Sequence, residues 1–146
     1  MAGGMARFKN NMARKQYMRA VDVKFRKLEI SKVDLRGNSV EVRLIVNDGK
    51  DKALVSRFSL DDLTKRATDL ISELRTKMKS AHKGQDIAED ILGGFVIIRF
   101  KDDEESIIEK IAKFLGTIKE SVRLAQAGRM SYYDAEEKCR KHVLEF

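Results

Sequence analysis

Gly93-Gly94-Phe95-Val96-Ile97-Ile98-Arg99-Phe100, followed at once by the acidic run Asp102-Asp103-Glu104-Glu105, decides how this chain of 146 residues is read. The run from Phe95 to Ile98, with Phe100 behind it, is too short for a helix of its own and reads as a buried strand. Beyond the acids the apolar residues are Ile107, Ile111, Phe114, Ile118, Val122 and Ala125. They recur every three or four positions, which lays one continuous stripe along a helix from 103 to 127. Gly128 ends the pattern. A buried strand feeding such a helix needs strands on both sides and an apolar surface beneath the helix. The expectation is therefore a central strand at 94 to 100, with the rest of the chain supplying the sheet around it.

The residues before it supply strands. Val21, Val23 and Phe25 alternate with Asp22, Lys24 and Arg26, and then Leu28 and Ile30 continue in the opposite phase. That slip near Arg26-Lys27 predicts a bulge or a bend in the strand. Val33 and Leu35 carry the pattern to the turn signal Gly37-Asn38. Val40, Val42, Leu44 and Val46 alternate with polar residues, Ile45 excepted, so this strand has one wet face. Asn47-Asp48-Gly49 marks a second turn, and Leu54 to Phe58 forms a third strand, completing an antiparallel meander.

Helices follow. Ser59 with Asp62 three residues on predicts a capping box. The stripe Leu60, Leu63, Ala67, Leu70, Ile71, Leu74 and Met78 predicts an amphipathic helix over 59 to 80. Gln85 to Leu92 reads as a short helix ended by Gly93. Near the end of the chain, Ser131 and Asp134 form a second capping-box signature. Tyr132, Ala135, Cys139 and Val143 give the last helix a modest stripe. The two final helices should form a hairpin.

Charge is distributed unevenly. Residues 1 to 36 hold ten basic side chains against three acidic ones, a difference equal to the whole net charge of +7. From residue 37 on, twenty basic and twenty acidic side chains cancel. Before Asp22 there is no acid, and the arm carries Arg7, Lys9, Arg14, Lys15 and Arg19. Met5, Phe8 and Met12 can share a helical face, which Lys15 and Gln16 interrupt, so residues 5 to 20 read as a conditionally folded helix or a solvated tail. If Val21, Val23 and Phe25 face the core, Lys24 and Arg26 face water and extend the arm's charge into a positive track. Such a track neutralises phosphates without reading sequence.

Other chemistry is sparse. Asp61-Asp62 and the run Asp102 to Glu105 sit at helix N-termini, where the macrodipole favours negative charge for local reasons. Cys139 and His142 lie three apart on one helix, and His82 is the other histidine, short of the four ligands of a closed zinc site. A small buried thiol beside a surface imidazole is the simpler reading. Gly93-Gly94 precedes a strand, whereas phosphate-binding glycine loops follow one. Gly116 interrupts the long helix at a cost of about 1 kcal/mol relative to alanine, which fits either close approach of another backbone or chance. Phe25 and Phe58 fit core positions, and no RNP-like aromatic set lines a strand. No catalytic constellation, metal site or cofactor motif is visible. A single cysteine excludes an internal disulfide framework and fits a reducing, cytoplasmic setting. No run approaches the length of a membrane span.

These readings predict a basic arm over residues 1–20 and one α+β domain over 21–146. Its antiparallel meander plus fourth strand is packed by two amphipathic helices and closed by a C-terminal helical hairpin. The function expected is non-enzymatic binding of DNA or RNA through backbone phosphates, at Arg7, Lys9, Arg14, Lys15, Arg19, Lys24 and Arg26. The alternative is an assembly or adaptor protein, such as a virion, ribosome-associated or secretion-complex component. That protein would use the 103–127 helix to contact a partner or a second copy of itself.

Overall fold

The computed structural model describes residues 19–82 and 96–146. Strands β1 (Arg19–Asp34), β2 (Ser39–Asn47) and β3 (Asp51–Ser59) form the antiparallel meander. A 3-10 turn (Leu60–Lys65) leads into helix α1 (Arg66–His82). Then come β4 (Val96–Phe100), α2 (Glu104–Gln126), α3 (Tyr132–Lys141) and β5 (Val143–Glu145). The fold is α+β, as the periodicities require. The short helix expected at 85 to 92 and the basic residues before Arg19 lie outside the described residues. β1 begins at Arg19, two residues before the expected domain boundary.

β1 is the spine of the sheet. The strand order is β3-β2-β1-β4, and β5 also pairs with β1. Its ladder with β2 slips between Phe25 and Lys27, where the phase change places it. A second slip lies between Ile30 and Lys32, at the odd step from Ile30 to Val33. Two bulges let one sixteen-residue strand bend while Val21, Val23, Phe25, Leu28, Ile30 and Val33 all stay on the buried face.

β4 corrects the expectation of a central strand. It lies at the sheet edge, parallel to β1, with Arg19 to Val23 opposite Val96 to Phe100. Ile98 is buried, but Ile97 is 38% exposed. β4 takes the part of β1 that runs past its last pair with β2, at Lys24 and Asn47. β5 takes the same outer side farther along, with Lys27 to Glu29 opposite Glu145 to Val143.

Helix ends follow local chemistry, with two corrections. Ser59 does cap, but its Oγ accepts from the Asp61 N–H (3.4 Å), and a 3-10 turn precedes α1. Asp62 faces Arg66 (3.8 Å) instead of completing a box. Asp103 caps α2 by accepting the Ser106 N–H (3.2 Å), and Ser131 caps α3 through the Asp134 N–H (3.0 Å). Gly128, at φ +74°, turns the chain out of α2. α3 stops at Lys141, so Val143 belongs to β5 and is 45% exposed, not part of a helical stripe.

The core lies between one sheet face and the helices. α1 contributes Ala67, Leu70, Ile71, Leu74 and Met78; α2 contributes its whole stripe together with Leu115. Phe25 anchors the outer edge, edge-to-face with Phe100 (5.0 Å between centroids) and tilted on Phe146 (5.3 Å). Phe58 is buried as expected. Apart from its chain neighbours and the backbone of its own helix, no described atom lies within 4 Å of a Cβ built on Gly116, so close approach of another backbone does not explain that glycine.

Candidate nucleic-acid interface

The sheet face opposite the helices carries the charged residues of β1. Alternation puts Val21, Val23 and Phe25 inside and leaves Asp22, Lys24 and Arg26 exposed. At the first bulge Phe25 pairs with Val46 and Lys27 with Ile45, so Arg26 is the extra residue. Its carbonyl accepts the Phe146 N–H (3.1 Å). The bulge therefore sets Arg26 and Lys27 side by side, where a regular strand would part them. A cleft of about 550 Å³ opens here, lined by Lys24, Phe25, Arg26 and Lys27, with Ile45 and Asp51 on one side and Glu145 and Phe146 on the other.

Most carboxylates on this face are already engaged. Asp22 accepts from Arg99 Nη2 (2.8 Å) and Nε (2.9 Å). Glu29 faces Lys27 (3.4 Å) and Arg43 (3.9 Å). Glu41 accepts from the Ser31 hydroxyl (2.8 Å) and pairs with Arg57 (3.4 Å). That Ser31 bond, opposed by desolvation and helped by Arg57 and Lys32, holds the Glu41 carboxyl below its usual range. Lys24 and Arg26 have no acidic partner within 4 Å among the described residues. Glu145, opposite Lys27, tempers the surface. Of the seven residues expected to bind phosphate, Arg19, Lys24 and Arg26 are exposed on β1, Lys24 and Arg26 on its solvent-facing side and Arg19 in the phase of Val21 and Val23, while Arg7, Lys9, Arg14 and Lys15 lie outside the described residues. Arg43 follows from the alternation of β2, whereas Arg99 reaches this face only through the pairing of β4 with β1.

A second polar cluster was missed. Asp48, its side chain 2% exposed, receives Lys52 Nζ (2.8 Å) and His82 Nε2 (2.5 Å). Burial alone would push the Asp48 carboxyl up, but the hydrogen bonds and charges of Lys52 and His82 outweigh it and hold the carboxyl below its usual range. His82 Nδ1 is buried without a partner. The cluster ties the end of α1 to the β2–β3 turn. A signal existed for Asp48 and Lys52, four apart across a turn, but none for His82, thirty-four residues from Asp48.

The remaining candidates resolve locally. Asp61 accepts from Asn38 (2.9 Å), and Glu104 pairs with Arg75 (2.9 Å). Cys139 is buried, and desolvation pushes its thiol up, away from thiolate chemistry. The His142 ring stacks on Phe114 (5.6 Å). Among the described residues no group of three or more His, Cys, Asp or Glu side chains is placed to hold a metal ion. No described helix is long and apolar enough to cross a membrane. Comparisons with protein-family models, with curated proteins and with solved structures returned no match.

Proposed function

We propose that this chain is a non-enzymatic nucleic-acid-binding protein that grips backbone phosphates of DNA or RNA. Arg7, Lys9, Arg14, Lys15 and Arg19 supply the arm, and Lys24 and Arg26 continue it onto the sheet. The observation that carries the reading is the state of those last two. Both are exposed on the strand into which the arm runs, neither has an acid within reach among the described residues, and Asp22 between them and Arg19 is occupied by Arg99. Cations left unpaired in this way release counterions when phosphate arrives, the main source of non-specific affinity. A lone buried thiol suits a reducing compartment.

The adaptor reading through the 103–127 helix has less to work with. The apolar stripe of α2 is spent in the core, leaving a partner only the charged outer face with Lys113, Lys119 and Arg123. A salt titration of binding to DNA and RNA tests the proposal. Affinity falling steeply with salt supports it, and no binding at about 50 mM salt, where electrostatic association is favoured, removes it.

A further inference from the structure

β3 is the outer strand of the sheet on the side away from β4, and its nine residues pair with β2 in unbroken register. The hydrogen-bond phase is set at both ends. The Leu60 N–H donates to the Asn38 carbonyl (3.2 Å) and the Asp48 N–H to the Lys50 carbonyl (3.3 Å). Alternation then spends the even-numbered backbone groups of β3 on β2 and turns the N–H and C=O groups of Ala53, Val55 and Arg57 outward. Within the described chain these groups take no partner. The edge carries no proline and no bulge, and Val55 is 46% exposed. Lys52, which points inward, is held by Asp48. An edge this long and this open is a template for another strand.

We propose that β3 pairs with β3 of a second copy of this chain, antiparallel about a two-fold axis at Leu54, joining two sheets into one. Residues with outward backbone groups must face one another, so odd positions pair with odd. With the axis at Leu54, Ala53 faces Val55 and Asp51 faces Arg57, each pair occurring twice as two-fold symmetry demands. Asp51, Ala53, Val55 and Arg57 are all exposed in the single chain. An axis at Val55 would set Arg57 against Ala53 and Asp51 against Ser59, so charge complementarity selects Leu54. On the helix side, the same register brings Lys52 of one copy opposite Ser56 of the other, whose hydroxyl donates to Glu73. A cleft of about 500 Å³ between this edge and α1, floored by Val46, Leu54, Leu74 and Met78, then meets its own copy across the axis.

Light scattering and sedimentation on the full chain test the pairing. The wild type is expected to dimerise. Arg57→Asp sets two carboxylates face to face, and Asp51→Arg sets two guanidinium groups face to face. Each alone should weaken self-association about tenfold or more. Mixing the two variants pairs Asp with Arg at both places and should restore the dimer, as should the double exchange. Melting curves check that each variant folds, and Val55→Lys, which touches no in-chain ion pair, gives an independent reading. A wild type that stays monomeric at its highest soluble concentration overturns the proposal, including the case where β3 captures a strand of another protein. So does a dimer that both single variants leave unchanged.

Discussion

His82, the last residue of α1, places its Nε2 2.5 Å from Oδ2 of Asp48 in the turn between β2 and β3. Lys52, the second residue of β3, reaches the same oxygen. Two residues from two elements thus converge on the buried carboxylate of a turn, and the helix is held to the hairpin by a contact that neither element's own pattern contains.

The pH dependence of stability follows from Asp48. Its carboxyl is held below the unfolded value of about 3.9. The contribution is therefore fully present above that value and is lost as pH falls through the lower, folded value. Melting temperatures measured from pH 7 down to about pH 2 should fall more steeply for the wild type than for Asp48→Asn. At neutral pH Asp48→Asn should cost about 1–3 kcal/mol, since Lys52 and His82 lose a charged acceptor. Parallel acid profiles would show that Asp48 is not engaged in solution.

The α2 stripe gives a second test. Ile111 is fully buried. Ile111→Asp would place an unpaired charge there and should unfold a domain of ordinary stability, whereas Ile111→Val should cost about 0.5–1.5 kcal/mol. Chemical denaturation distinguishes the two. A folded Ile111→Asp protein with the wild-type melting temperature would contradict the placement of the helix.

Two glycines should respond in opposite directions. Space is open around a Cβ on Gly116, within regular helix, so Gly116→Ala should stabilise by about 0.5–1 kcal/mol. Gly128 sits at φ +74°, where an L-residue is strained, so Gly128→Ala should destabilise by about 1 kcal/mol or more. Equal shifts in calorimetry would remove the distinction.

Salt dependence reads the proposed function residue by residue. Five cations on the arm, all meeting duplex phosphates, give a slope of log K against log salt of about −4.5. Lys24→Gln and Arg26→Gln should each flatten the total slope by about 0.9 and weaken binding alike for all sequences. Deleting residues 1 to 18 should remove most of the slope while the melting temperature holds, because among the described residues the buried core begins at Val21. A truncated chain that binds as tightly as the full one would move the site off the arm.

The sequence by itself determined the local faces. Alternation in β1 and β2 sorts Val23 from Lys24 and Val42 from Arg43, and the stripe from Ile107 to Ala125 sorts core from solvent on α2. It even located the bulge at Arg26, because a bulge is a break in local period. Lys24 and Arg26 were legible as solvent-facing for the same reason. Beyond the meander, whose turns name its own pairs, tertiary structure alone decided the partners. Asp22 finds Arg99 seventy-seven residues away, β4 goes to an edge along the part of β1 that β2 does not pair, and Val143 leaves its helix to pair with Glu29. Periodicity records which side of an element is apolar, whereas pairing depends on which backbone edges remain open once the rest of the chain has folded.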